Sequence, residues 1–464
     1  MVEPLEAYIT PMISYPMSAN DYFEVYDFAI YHGDEYMKAL GTYNPALEEY
    51  EKTHKTEAGE TTDGDEPEFD CKPIVSFSFW SMDERFGTFY QTWSYVMNYP
   101  ENYFLNTENS STALASFNET YYEGVKKVAP GDDDLKEYGL DIPAFVISFE
   151  FHEIPHVLLF SETTADNTIY IYSTFSDMIV EVVADQFLFL KFDLTDWVNP
   201  NYFDMNIAWL TELTIESGDE KYTFRTDNSK SDSMSNPTYS DAAFEDKTIS
   251  SSNMTLIATD NKGTTWEAVS NYQLDDKNGF HWKITDEKIT VTDKDGNTVK
   301  FDGAMKTENL LGDVVTVFSG YIEGADGSQV SVDANTITVV NPTGGTKVYR
   351  RFGMKNFRAL YKDLLYASLE GNAHDGTFGL SDEDIRKETS RPDSECQTII
   401  TVKTCFDEVP GYVYRFYDYS ERRSLLTVNG GDAEFYVLRT FTDKMVTDAR
   451  RVIDEEKVDY TTKY

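Results

Sequence analysis

Residues 412–453 constrain the fold more than any other stretch, because three strand-like runs lead directly into one helix. In the first run, aromatic residues at 412, 414 and 416 alternate with other side chains, which is the period of a β-strand. Asn429 and the two glycines after it predict a tight turn, since Asn and Gly adopt positive φ at little cost. The predicted strands are 412–417, 425–428 and 435–438.

An amphipathic helix is predicted to follow this meander. Its apolar residues are spaced 4, 1, 3, 3 and 1 apart, which places them on one helical face: Phe441, Met445, Val446, Ala449, Val452 and Ile453. Asp443 lies in its first turn, and Arg450 and Arg451 lie in its last, as the helix dipole favours.

A looser version of this plan occurs at residues 143–190. In one copy a helix at 112–121 precedes Glu-Gly, a loop, strands and a helical segment; in the other, a helix at 356–368 does the same. Between them, residues 255–349 consist of short Thr/Val/Ile runs broken by Asp-Gly, Asn-Gly and Gly-Gly, which is typical of an all-β region. The predicted fold class is therefore α+β: a duplicated module of antiparallel β-meander plus amphipathic helices, with an all-β insertion between the copies.

Changes in composition predict five segments along the 464 residues. They are an N-terminal segment at 1–71 with an acidic loop at 44–70, a first α+β module at 72–226, a flexible Ser/Asp-rich loop at 227–254, a β-rich domain at 255–350, and a second α+β module at 351–464.

The formal net charge of −43 excludes classes of partner. Nucleic acids and anionic lipid surfaces are bound by clustered Lys and Arg, so neither is expected here. Such a surface favours solubility, cations or basic partners.

Three cysteines exclude a disulfide-rich scaffold. Cys396 and Cys405 flank one strand-like run, whose eight residues would span roughly 25 Å, so a disulfide between them would require a hairpin. We expect free, buried thiols at Cys71, Cys396 and Cys405.

No run of about 18 apolar residues and no signal peptide is recognisable. The opening residues, MVEPLEAYITPM, look like a cut made inside a longer protein.

Residues 152–156 read H-E-x-x-H, the zinc motif that needs both histidines on one face of a helix. Pro155 opposes a helix, and the flanking residues have the pattern of strands, so a hairpin tip is the preferred interpretation. A zinc hydrolase at His152 and His156 is therefore the least favoured of three functional hypotheses; the other two are an accessory protein and a carbohydrate-binding protein.

Three further patterns have simpler structural explanations. Residues 293–297 resemble a calcium loop but lack the Gly and Glu that such a loop needs at its sixth and twelfth positions, so a hairpin turn is favoured. Aromatic residues at 98–104 would stack on sugars if exposed, but buried sheet aromatics are the preferred interpretation. Abundant carboxylates single out no catalytic pair, so no catalytic residue, cofactor or metal site is predicted.

Positive charge near the C-terminus is rare enough to be informative. Internal ion pairing is the preferred interpretation of Arg415, Arg422 and Arg423, and a surface that meets an acidic partner is the functional alternative.

Several blocks together resemble a bacterial family, the domain of unknown function DUF4340. They include DLKEYGLDIPAFVISF, IYIYSTFSDMIVEVV, DLTDWVNPNYFDMNIAWLTELTI, FRALYKDLLYASLEG and YRFYDYSERRSLLTVNGGDAEFYVLRTFTDKMVTDARRVI. The likeness covers most of residues 132–454, apart from the β-rich middle.

This resemblance implies an extracytoplasmic protein held to the membrane by one N-terminal helix, which is absent from this chain, and encoded beside ABC transporter subunits of the gliding-motility type. It brings no catalytic residues. The leading hypothesis is therefore a non-enzymatic accessory protein that contacts transporter permease subunits through the Arg422/Arg423 turn. The alternative is a carbohydrate or cell-wall binding protein that uses exposed aromatics.

Overall fold

The structure, a computed structural model, describes residues 25–54, 67–81, 93–119, 124–151, 154–203, 205, 207–227, 254–376, 380–405 and 411–460. These residues form two compact units, which divide after Asn199. Both units contain helices and large, mainly antiparallel sheets, so the predicted α+β class is confirmed.

The first unit is built on an eight-stranded sheet in the order β3-β2-β1-β5-β6-β7-β8-β4. Its elements are β1 (Val25–His32), α1 (Gly33–His54), β2 (Val75–Ser81), β3 (Trp93–Tyr99), α2 (Thr107–Glu119), β4 (Gly124–Val128), α3 (Asp132–Glu137), β5 (Phe145–Phe151), β6 (Ile154–Phe160), β7 (Thr168–Ser173), β8 (Met178–Val183), a 3₁₀ helix (Ala184–Lys191) and α4 (Leu194–Trp197).

Strand alternation gives this sheet two buried faces. On one face, Val146 and Ile179 form a cluster with Tyr36 of α1. On the other, the fully buried rings of Phe28 and Phe117 lie 6.1 Å apart and join α2 to the sheet. The aromatic-rich composition is thus used mainly for the core.

The prediction of an acidic loop at 44–70 is wrong for residues 44–54. These residues belong to α1, which continues through Pro45 to His54. The Glu, Asp, Thr and Gly content and the scarcity of large aliphatic residues suggested a loop, but Ala, Leu and Glu are strong helix formers, and they prevail here. Residues 55–66 of that prediction lie outside the described residues.

The second unit contains a fourteen-stranded sheet and a separate three-stranded sheet, β13-β14-β15. Its strands are β9 (Leu210–Ser217), β10 (Glu220–Asp227), β11 (Thr255–Thr259), β12 (Thr265–Val269), β13 (Asn271–Asp275), β14 (His281–Thr285), β15 (Ile289–Thr292), β16 (Ala304–Glu308), β17 (Val314–Glu323), β18 (Gln329–Val332), β19 (Thr336–Val340), β20 (Thr346–Arg350), β21 (Gly371–Asn372), β22 (Thr398–Thr404), β23 (Tyr412–Asp418), β24 (Arg423–Val428) and β25 (Phe435–Leu438). Its helices are α5 (Gly353–Leu365), α6 (Asp382–Thr389) and α7 (Arg439–Ile453), with short 3₁₀ helices at Ile207–Trp209 and Asp393–Glu395.

The large sheet runs β16-β17-β18-β19-β20-β12-β11-β10-β9-β22-β23-β24-β25-β21. Its described strands pair antiparallel, except that β12 and β20 are parallel. Strands β13–β19 lie between β12 and β20 in sequence and have their own buried cluster around Trp282 and Val330, as expected for a β-rich region.

The predicted C-terminal meander and helix are present. Strands β23, β24 and β25 pair in sequence order, and the turn between the last two contains Asn429 and Gly430 at positive φ. Met445 and Ala449 of α7 are fully buried, as the helical spacing requires.

The two units share one order of strands. In the first, β3-β2-β1 continues into the β5-to-β8 meander and ends on β4; in the second, β11-β10-β9 continues into the β22-to-β25 meander and ends on β21. In both, a helix precedes the final edge strand and another follows it. This correspondence is what a duplication would produce, and common origin of the two units stays a prediction.

The predicted segment boundaries differ from these units. Residues 200–226 were assigned to the first module, but β9 pairs with β22 and therefore belongs to the second unit. The predicted N-terminal segment supplies β1, which lies between β2 and β5. Most of the loop predicted at 227–254 falls outside the described residues.

The three cysteines are free, as predicted, but they are not all buried. Cys396 is buried and Cys71 is half-buried, whereas Cys405 is exposed just after β22. Among the helices that the structure describes, none is both long and apolar enough to cross a membrane.

Candidate interaction site at the C-terminal meander

The C-terminal meander has two differently covered faces, which decide where each predicted arginine lies. Phe416 of β23 faces α7 and lies 5.9 Å from Phe441, ring centre to ring centre. Tyr417, its neighbour, points to the opposite face and packs in a cluster with Leu425 of β24 and Ile385 of α6. Residues of odd number on β23 therefore face α6.

Arg415 lies on that α6 side and forms an internal ion pair. Its Nε is 2.7 Å from Oδ1 of Asp393, and its Nη2 is 3.3 Å from Oδ2. The two bonds are parallel and charge-assisted, and they hold the pKa of Asp393 below its ordinary value. Arg415 thus has the structural ion-pair role that was the preferred interpretation.

The side chain of Arg423 also makes a contact within the fold. Its guanidinium lies 5.3 Å from the centre of the Tyr436 ring, a cation–π distance, and the residue is half-buried.

Arg422 differs, because its side chain is exposed while its backbone is held. Its N–H and that of Arg423 donate to Oγ of Ser420 at 3.4 and 3.0 Å, and its carbonyl accepts from the N–H of Arg439 at 2.9 Å. The three arginines therefore do not form one exposed basic surface, and that part of the prediction needs correction. Their sequence proximity hid the alternation that turns Arg415 toward α6.

A polar cluster that the sequence did not indicate lies near this turn. Nδ1 of His374 is 2.7 Å from Asp382, the first residue of α6, and Nε2 is 3.4 Å from the buried carboxylate of Glu434. Close by, burial raises the pKa of Tyr419 to about 12, although Arg423 acts to lower it. The cluster ties α6 to the loop before β25, and within the described residues no three His, Cys, Asp or Glu side chains are placed to hold a metal ion.

The H-E-x-x-H motif lies at a hairpin, as predicted from Pro155. Phe151 of β5 pairs with Ile154 of β6, while His152 and Glu153 lie outside the described residues. His156 belongs to β6; its ring stacks on Phe149 at 4.8 Å, and burial lowers its pKa. Its imidazole is part of an aromatic stack.

The calcium-like loop is a turn closed by its own aspartate. Oδ1 of Asp293 accepts from the N–H groups of Asp295 and Asn297, both at 2.9 Å, and Gly296 has φ +83°. In the aromatic stretch 98–104, Tyr103 is buried, so that stretch does not present a continuous stacking platform.

A second group of basic side chains was missed by the sequence reasoning. Lys355, Arg358 and Lys362 of α5 are spaced 3 and 4 residues apart and therefore share one face of the helix. The same periodicity that identified the apolar face of α5 could have revealed this basic one.

Comparisons with curated proteins and with solved structures gave no match to this chain. One family model does match, in a range that begins at β3 and ends just after β13. The C-terminal blocks that also suggested the resemblance lie beyond this range. The matching family is described as a domain of unknown function, DUF4340, and its match over residues 93–276 confirms the resemblance to that family for this segment.

Proposed function

We propose that this protein is a non-enzymatic accessory protein on the extracytoplasmic side of a bacterial membrane, tethered there in its full-length form. In this proposal it works with an ABC transporter and contacts the permease subunits. The DUF4340 match supports the family context, since the resemblance implies a tethered protein encoded beside transporter subunits.

The observation that carries a docking role is Arg422, an exposed cation on a fixed turn. The chain as a whole carries a net charge of −43, so its surface repels acidic partners and copies of itself. A local positive group on such a surface selects the orientation in which an acidic partner can approach. The hydrogen bonds to Ser420 and from Arg439 hold the backbone of this turn before any partner binds, which lowers the entropic cost of docking.

In-cell crosslinking of the full-length, membrane-anchored protein, followed by mass spectrometry, tests the proposal. Permease subunits are expected among the crosslinked proteins, and Arg422→Glu is expected to reduce their recovery about tenfold, since charge reversal adds repulsion to the lost attraction. Lys306→Glu is the matched control, because Lys306 is an exposed cation of β16, far from this turn in the strand order.

Equal recovery from the Arg422→Glu protein and from the unchanged protein would exclude docking through this turn. Recovery of wall glycan in place of any membrane protein would overturn the transporter role and favour the carbohydrate-binding alternative.

A further inference from the structure

The second unit contains a cavity of about 410 Å³ beside α5. One wall is the face of α5 that carries Lys355, Arg358 and Lys362. Leu311 and Asp313, from the loop between β16 and β17, form the second wall. Residues 457–460, after α7, form the third.

The charge of this cavity is opposite to that of the chain. Its described lining contains four cationic side chains, Lys355, Arg358, Lys362 and Lys457, and two carboxylates, Asp313 and Asp459. Lys355 pairs with Asp313 at 3.0 Å, and Lys457 pairs with Asp459 at 3.1 Å. The lining therefore has an excess of two positive charges, on a chain whose net charge is −43.

The other two cationic residues of the lining, Arg358 and Lys362, lie one helical turn apart. Arg358 is near Asp286, a carboxylate outside the lining, and burial lowers the pKa of its guanidinium while Asp286 acts to raise it. Counting Asp286, the excess is one positive charge. Lys362 is 9% exposed, and its ammonium lies 4.3 Å from the centre of the Tyr460 ring.

The remaining lining is largely apolar. Leu311, Ala359, Val458 and the Tyr460 ring contribute carbon surface, and the stems of the lysines add to it. A cavity of this volume, with apolar walls and a few converging polar groups, is typical of small-molecule sites, which span about 300–1,000 Å³.

The third wall is fixed to the helices, so the cavity is formed before a ligand arrives. The side chain of Asn356 donates to the carbonyl of Glu456 at 2.7 Å and accepts from the N–H of Val458 at 3.3 Å. Lys444 of α7 donates to the carbonyl of Asp459 at 2.8 Å.

We propose that this cavity binds a small amphipathic anion, a carboxylate or phosphate group attached to an apolar body. The oxyanion lies against Arg358 and Lys362, because groups at positions i and i+4 of a helix can contact one ligand together. The apolar body lies against Leu311 and Val458. This site is independent of the docking turn at Arg422, and either can fail without the other.

Isothermal titration of the full chain with three ten-carbon probes tests the proposal: decanoate, decyl phosphate and decanol. At least one anion is expected to bind at least tenfold more tightly than decanol, since a charge-assisted hydrogen bond contributes about that factor. Which anion binds more tightly identifies the head group. No heat with either anion, or equal affinity for decanol, would overturn the proposal.

Two substitutions locate the site. Lys362→Met retains the apolar stem and removes the charge, and Arg358→Gln removes the guanidinium; each is expected to weaken anion binding about tenfold. Lys306→Gln removes an exposed cation outside the cavity and is expected to leave affinity unchanged.

Circular dichroism and thermal unfolding check that each variant is folded. Should Arg358→Gln fail to fold, Lys362→Met alone decides the location. Unchanged anion affinity in a folded Lys362→Met protein would overturn the proposed site.

Discussion

Replacing Lys444 should destabilise the second unit more than any exposed lysine does, because Lys444 neutralises a buried acidic pair. Its Nζ lies 2.9 Å from Oδ2 of Asp363 on α5 and also bonds Oδ2 of Asp448 on α7. Both carboxylates are fully buried. Arg451 is the second cation of the cluster, 3.2 Å from the other oxygen of Asp448.

The expected loss for Lys444→Met is about 3 kcal/mol. Removing one partner of a buried ion pair costs about 3–5 kcal/mol, since the remaining charge is left desolvated. The lower end applies here, because Arg451 still compensates Asp448 and the Lys444 side chain is 23% exposed. With a urea dependence near 3 kcal/mol per molar, the midpoint would fall by about 1 M.

Hydrogen exchange with mass spectrometry, along a urea series, is the appropriate measurement. The chain has two units, so a single unfolding curve would mix their transitions, whereas peptides from α5 and α7 report the second unit alone. Lys221→Met is the control in the same unit: Lys221 pairs with Glu216 at 3.1 Å, but both side chains are exposed, at 56% and 37%. It should cost less than about 0.5 kcal/mol.

The stability that Lys444 contributes depends on pH, and the sign of that dependence follows from its pKa. Burial acts to lower the pKa of Lys444, but its hydrogen bonds to Asp448 and Asp363 outweigh burial and raise it. A cation with a raised folded-state pKa contributes stability that is fully present below its unfolded pKa, about 10.4, and is lost as pH rises through the folded pKa. The difference in the free energy of unfolding between the unchanged protein and the Lys444→Met protein should therefore stay constant from pH 7 to about 9. A loss no larger than that of Lys221→Met would refute the reasoning, since desolvation would then cancel the attraction.

Two further substitutions test how the second unit is assembled. Arg351→Met should cost about 2 kcal/mol and accelerate exchange in β14 and β17, because the buried guanidinium donates to the carbonyls of Thr285, Thr316 and Asp333 at 2.7–3.0 Å; unchanged exchange there would contradict this. Gly353→Ala should lower stability by about 1–3 kcal/mol, since a Cβ at this position would lie 2.6 Å from the ring of Trp266. Gly41→Ala in α1 is the comparison: its Cβ would meet nothing within 4 Å, so it should raise stability by about 0.5–1 kcal/mol. Hydrogen exchange in peptides from α5 and from α1 measures each effect in its own unit, and equal stability changes would exclude the clash at Gly353.

The sequence predicted those parts of the fold whose signals are local. The alternation at 412–417, the turn at Asn429 and the apolar spacing of α7 agree with one another, and all are present. Strand β9 pairs with its sequence neighbour β10 and also with β22, far along the chain, and this second pairing was not predictable because no local pattern encodes it. Helix α1 was not predicted: its first residues, 33–43, were given no assignment, and at residues 44–54 composition was given more weight than helix propensity.

The candidate sites were also only partly predictable, because they depend on contacts between residues that are distant in sequence. Whether an arginine on a strand is exposed depends on what covers its face, and nothing near Arg415 in sequence announces that α6 lies there. The basic face of α5 was readable from its spacing. Its place in a cavity was not, since the opposite walls come from the loop after β16 and from residues 457–460.

The position of the β-rich insertion gives the cavity its significance. In both units the order of the shared strands is the same, but α2 follows β3 directly in the first unit, whereas in the second β12–β20 lie between β11, the counterpart of β3, and α5. The helix in the corresponding place also differs: α2 contains no Lys or Arg, and α5 carries the basic face. The inserted loop at Leu311 and Asp313 and the basic face meet at one cavity, and the family match ends at residue 276, before either. If the two units arose by duplication, the anion site is therefore a property of the second copy and not of the shared module. A ligand specificity for this protein should accordingly be sought in the residues between β12 and α5, together with α5 itself.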